Sequence, residues 1–129
     1  MTNKTVLTAS HVRYLMVLKR LNCADGMKSS DIADELKLSR PSVHNMMDTF
    51  LFMKYIEKEP GGLVFLTDYG LQRASFFEEQ YQKIKRKLFG KCKMDDSVDC
   101  AIYAMIAELS DEAMKFVVGI TAMEEMYEG

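Results

Sequence analysis

The sequence holds little of what catalytic or metal-dependent chemistry usually needs. It has two histidines, His11 and His44, and three cysteines, Cys23, Cys92 and Cys100. The cysteines form no C-x-x-C pair and show no regular spacing, so reduced thiols are expected rather than a disulfide framework or a zinc site. A redox sensor built on Cys92 and Cys100 would need surroundings that favour the thiolate; plain thiols are the simpler expectation. No glycine-rich phosphate loop, paired-carboxylate motif or His/Cys/Asp constellation is present, so an enzyme is not expected. No run of 18 or more apolar residues occurs, and MTNKTVLTAS at the start lacks the apolar stretch of a signal peptide. Neither a membrane span nor secretion is expected, and the chain is assigned to the cytoplasm. There is no internal repeat and no low-complexity segment.

What is present suits a compact chain with a real core: 129 residues, 48% hydrophobic and 28% charged. The net charge of −2 conceals a division. Residues 1–94 carry 16 Lys/Arg against 10 Asp/Glu, whereas residues 95–129 carry one, Lys115, against nine. The first part is suited to meeting a polyanion and the last is not.

Apolar residues at Val12, Leu15, Met16 and Leu18 predict a first helix from Ser10, its N-cap, to about Leu21. Asp25-Gly26 signals a turn, and the serines that follow offer caps to a second helix over about Ser30 to Leu36. Ser39-Arg40-Pro41-Ser42 places a capping residue before a proline in the first turn, predicting a third helix to about Met53. KYIEKE and LVFLT flank Pro60-Gly61-Gly62 and read as a hairpin. Thr67 caps a long helix ending near Gly90, a further helix covers about Ser97 to Leu109, and Ser110 opens a last one to about Met126.

Two short helices joined by a tight turn are stable only if each packs on the other. Ile32, Leu36 and Leu38 are expected to meet Val43, Met46 and Met47, with small Ala33 letting the helices cross closely. Lys37 holds the turn position where many helix-turn-helix units have glycine. The start of the third helix then presents Ser39, Arg40, Pro41, Ser42, His44 and Asn45 outward, groups suited to a major groove. Arg40 is a candidate for guanine or phosphate, Asn45 for adenine, and Ser39 and Ser42 for phosphate. The hairpin is the expected wing, with Lys54 and Lys58 as phosphate contacts weakened by the neighbouring Glu57 and Glu59. A denser basic run, Lys83, Lys85, Arg86, Lys87, Lys91 and Lys93, reads first as a solvated face with Ile84, Leu88 and Tyr81 turned inward.

LTASHVRYL, SSDIADELKLSRPSVHNMM, GGLVFLTDYGLQRA and VDCAIYAMIAELSDE together resemble the diphtheria toxin repressor family of iron- and manganese-dependent regulators, over nearly the whole chain. The resemblance implies a mainly α fold: a winged helix-turn-helix DNA-binding domain over residues 1–66 and a helical dimerisation domain over 67–129. It also implies a metal switch, but the matching positions are poor in ligands. Arg13 and Met16 flank the tyrosine of the first helix, and an arginine there repels a divalent cation. The family's histidine falls near Glu79 and its later acid near Lys83. Where the family carries a Cys or Glu followed by a Glu-His pair, Asp99 to Ala107 reads DCAIYAMIA. Glu79, Asp99, Cys100 and Met105 are the weak candidates that remain for manganese or iron, and hard or borderline divalent ions ask for more carboxylate or imidazole than this.

The expectation is therefore a sequence-specific transcriptional regulator, a repressor, that binds double-stranded DNA as a homodimer without a resident cofactor. Phe76, Phe77, Ile84, Leu88, Phe89, Ile102, Met105, Ile106, Leu109, Phe116, Val117 and Ile120 supply more apolar surface than two thin helices hide within one small subunit. Two alternatives stand beside this reading. One is a protein-interaction module on a winged scaffold that no longer binds DNA, since residues 28–58 hold five Lys/Arg and five Asp/Glu. The other is a metal-responsive regulator with substituted ligands.

Overall fold

A computed structural model describes residues 7–110 and 112–117. The expected helix as far as Met126, and Ile120 with it, lies outside the described residues from position 118 on. The element order is α1 (Ala9–Leu21), α2 (Ser29–Leu36), α3 (Arg40–Phe52), β1 (Ile56–Lys58), β2 (Val64–Leu66), α4 (Asp68–Phe89) and α5 (Asp96–Glu108), with residues 112–117 again helical. The fold is mainly α, with one two-stranded sheet. By contact the described residues divide into two compact units, one built on residues 13–75 and the other joining residues 7–12 to residues 76–110 and 112–117. The divisions fall inside α1 and inside α4, so neither helix belongs wholly to one unit.

In the first unit α1 buries Leu15 and Leu18 completely and Tyr14 and Val17 nearly so. α2 has only eight residues, too few to hold a helix alone, and is kept by burying Ile32, Ala33 and Leu36. α3 buries Val43, Met47 and Phe50 from the same side. Each such side chain contributes about 1.5–3 kcal/mol when removed from water, against about 1 kcal/mol for a good N-cap. Packing therefore holds α3, and its cap sets where it starts. Leu38 departs from the expected core, remaining 39% exposed. It lies beyond the end of α2, where no apolar neighbour covers it completely.

Two caps differ from the sequence expectation. α1 starts at Ala9, and the cap is Thr8, not Ser10: the His11 N–H donates to Thr8 Oγ1 at 3.2 Å, and the Thr8 N–H donates to His11 Nδ1 at 3.2 Å. This is a capping box with histidine where Glu or Gln is usual. α2 starts at Ser29 after Lys28, which supplies no side-chain cap. Lys28 is extended because the residue before it is held in a bridge: Met27 and Val64 exchange both backbone hydrogen bonds, each 2.8 Å. The serines are thereby carried into the helix.

β1 and β2 pair antiparallel with Ile56 opposite Leu66 and Lys58 opposite Val64. The turn between them uses positive φ at Gly61 and Gly62, which only glycine adopts readily. After the hairpin Thr67 caps α4 by accepting from the Gly70 N–H at 2.9 Å. Gly70 is dictated by approach distance, since a Cβ there would stand 2.0 Å from the Tyr55 carbonyl oxygen.

In the second unit α4 and α5 bury Phe77, Ile84 and Ile102. Tyr81 donates its hydroxyl to the Asp99 carboxylate, and its ring stacks on Tyr103 at 5.7 Å between centroids. Burial first, and then that carboxylate, raise the Tyr81 pKa strongly. α5 begins one residue before the predicted Ser97 because Asp95 is the cap, accepting from the Val98 N–H at 3.1 Å. Ser110 Oγ accepts from the Ala113 N–H at 3.0 Å and opens the helical residues 112–117.

Candidate nucleic-acid interface

The turn between α2 and α3 determines which side chains α3 can offer. Lys37 ends α2 in the left-handed region, φ 58°, a conformation glycine would hold with less strain. Arg13 reaches across from α1 and donates to the Leu36 carbonyl at 3.1 Å, placing a cation at the negative end of α2. The residue set against metal binding in the sequence thus has a task in positioning α2. Arg20 adds an exposed pair with Glu35 at 2.6 Å.

Ser39 is the N-cap of α3: its Oγ accepts from the Ser42 N–H at 3.3 Å and donates to Ser42 Oγ at 2.9 Å. Arg40, Pro41, Ser42, His44 and Asn45 are all exposed, while Val43 and Met47 are buried. The first turns of α3 therefore carry a polar, hydrogen-bonding outer face on an apolar inner one. The helix N-terminus beneath Ser39 adds the partial positive charge of its free N–H groups. Such an end can grip phosphate, and the side chains after it can reach base edges.

The two wing lysines differ in their surroundings. Lys54 is exposed with φ 65°. Lys58 is half-buried, and its Nζ lies 3.0 Å from Oδ1 of Asp48 on α3. The other carboxylate oxygen, Oδ2, is 3.7 Å from His44 Nε2. The Lys58 hydrogen bond, helped by the lysine and histidine charges, holds the Asp48 carboxyl below its ordinary pKa. Sequence reasoning missed this arrangement. The His44 to Asp48 spacing of four was a readable signal; the approach of Lys58, ten residues away, was not.

The later basic run is partly engaged. Lys83 pairs with Glu79 at 3.1 Å, and Lys85 Nζ sits 5.9 Å from the Tyr81 ring centroid. Ile84 and Tyr81 are buried as the helical stripe required, but Leu88 is 54% exposed. It lies in the last turn of α4.

The weak metal candidates do not converge. Glu79 is held by Lys83, Asp99 accepts from Tyr81, Cys100 is exposed and Met105 is half-buried. Among the described residues no three or more His, Cys, Asp or Glu side chains gather in a way that could hold a metal ion.

Residues 10–60 match the family model of the IclR helix-turn-helix domain, a span from the start of α1 to the turn of the hairpin. No curated protein matches the sequence. Among solved structures, the chain is similar to a hypothetical protein from Sulfolobus solfataricus, at 19% identity and a TM-score of 0.63, covering 88% of each chain. It is also similar to IdeR from T. acidophilum, at 17% identity and 0.61, covering 95% of this chain and 56% of that one. A third is the manganese-activated repressor ScaR in its apo form, at 22% identity and 0.54, covering 84% and 52%. The chain thus spans about half the length of the last two. At these identities the likeness is one of fold, and with the domain match it establishes a winged helix-turn-helix. The same findings support a DNA-binding transcriptional regulator. No helix among the described residues is long and apolar enough to cross a membrane.

Proposed function

We propose that this winged helix-turn-helix chain is a sequence-specific DNA-binding repressor that acts in the cytoplasm as a homodimer and is not switched by a metal. The observation that carries the reading is α3, with its Ser39 cap, the exposed row Arg40, Pro41, Ser42, His44 and Asn45, and its buried inner side. Phosphate would meet the helix N-terminus, Ser39 and Ser42; Arg40 and Asn45 are the base readers. Lys54 is the wing's available phosphate contact. Repression follows from occupancy, since a dimer seated on a promoter excludes other proteins from it.

Independence from metal is supported by the scattered Glu79, Asp99, Cys100 and Met105. The fold likeness to a manganese-activated repressor makes this the finer point to test. Adding manganese, iron(II) or zinc at micromolar concentration should leave operator affinity and the thermal midpoint unchanged; a shift in either would return the chain to the metal-responsive reading.

The function is tested by retention of duplex fragments from the upstream region of the chain's own gene, in a salt series. Binding should weaken as salt rises, and Arg40→Ala combined with Asn45→Ala should abolish preference among fragments. Absence of retention at low salt favours the interaction module. That second reading draws on the far end of α3, where Phe52 is 79% and Leu51 43% exposed.

A further inference from the structure

The acid in α3 stands among the groups expected to meet DNA. Asp48 is the helix's single carboxylate, and on an exposed face it repels phosphate. Its oxygens are turned toward two cationic or potentially cationic side chains, Lys58 Nζ at 3.0 Å and His44 Nε2 at 3.7 Å. The lysine side chain is 24% exposed and the aspartate 57%, so the lysine is the more covered residue of the pair.

From this geometry we infer that Asp48 sets the strength and salt dependence of DNA binding by competing with phosphate for the wing lysine Lys58. The inference rests on the DNA-binding function proposed above. Carboxylate and phosphate oxygens are equivalent acceptors for an ammonium group, so a phosphate that approaches Lys58 meets a charge that Asp48 already neutralises and must compete with that carboxylate. While the pair stands, Lys58 contributes no released counterion to binding. A base-reading role, in which the carboxylate accepts from a cytosine amino group, would need oxygens turned into the groove. Here Oδ1 takes the lysine and Oδ2 faces the histidine.

The experiment is a double-mutant cycle on the full chain: wild type, Asp48→Asn, Lys58→Ala and the double variant. Each is titrated with a fluorescent duplex from the upstream region and with a shuffled duplex of equal length, across a series of NaCl concentrations. Asp48→Asn should tighten both duplexes at low salt and steepen the slope of log affinity against log salt by about 0.9, the share of one phosphate contact. Lys58→Ala alone should leave the wild-type slope in place, and in its background Asp48→Asn should steepen nothing. Asp48→Ser should repeat the result of Asp48→Asn, and equal thermal midpoints serve as the folding control. Loss of affinity for the upstream duplex alone in Asp48→Asn would make the carboxylate a base reader and overturn the inference. A slope flattened by Lys58→Ala alone would place Lys58 on phosphate already, with the same result. Wild-type binding with an unchanged slope in Asp48→Asn sinks the inference only; failure of every variant to bind either duplex sinks the DNA-binding function with it.

Discussion

At the scale of single residues, backbone conformation and burial create two measurable liabilities. Lys37 holds a left-handed conformation that costs an L-residue roughly 1–2 kcal/mol, partly offset in glycine by the larger entropy of its unfolded chain. Lys37→Gly should raise stability by about 0.5–1 kcal/mol, read as a higher urea midpoint with an unchanged m-value; Lys37→Ala should show no gain. His11 is buried, and burial lowers its pKa from 6.5. Its Nδ1 also accepts from the Thr8 N–H, which favours the neutral ring. In the range between the lowered folded pKa and 6.5 the unfolded chain binds the proton more readily. The contribution of His11 is therefore complete above about pH 6.5 and is lost as pH falls through the lowered folded value. Thermal midpoints measured from pH 8 down to 5 should show this fall, and His11→Gln should reduce it. An equal fall in the variant would assign the effect to other groups.

At the scale of elements, α3 has one end with two duties. Ser39 ends the turn from α2 and lies where phosphate would approach. Ser39→Asp retains a capping oxygen while adding a negative charge, so the two duties can be separated. The thermal midpoint should stay close to wild type, whereas DNA affinity should drop at every salt concentration. Ser39→Ala should instead lower stability by about 1 kcal/mol. If Ser39→Asp binds as tightly as wild type, the α3 N-terminus does not meet phosphate. The limits of sequence reading also show at this scale. α3 and α4 were legible because a capping residue, Ser39 or Thr67, stands directly before an apolar stripe. α2 was misread at its start because Lys28 is held extended by the Met27–Val64 bridge, a contact between positions 37 residues apart in the chain. The Asp48–Lys58 pair was missed for a similar reason, since only the folded hairpin brings the wing lysine to α3.

At the scale of the whole molecule, the apolar surface that remains after folding bears on assembly. Leu88 is 54%, Phe116 69% and Phe76 44% exposed within the second unit. Burying such side chains between two copies would support the proposed dimer, and a two-fold pair would set recognition helices roughly 34 Å apart, one turn of DNA. Sedimentation equilibrium should give a dimer at micromolar concentration. Leu88→Lys combined with Phe116→Lys should give a folded monomer with much weaker DNA binding. A wild-type monomer at high concentration would remove the dimer from the proposal.

The sequence by itself determined the order of the described helices and hairpin and the inner and outer faces of α3. These depend on local periodicity, capping chemistry and residue type, which act over a few positions. The tertiary structure alone decided that Arg13 caps the end of α2, that Lys58 is held by Asp48, and that Glu79 and Asp99 are taken by Lys83 and Tyr81. Three of these four contacts join different elements, and such a contact depends on where packing brings two side chains in space. The pair on α4, Glu79 with Lys83, has helical spacing, but only the folded rotamers show that the carboxylate is spent there.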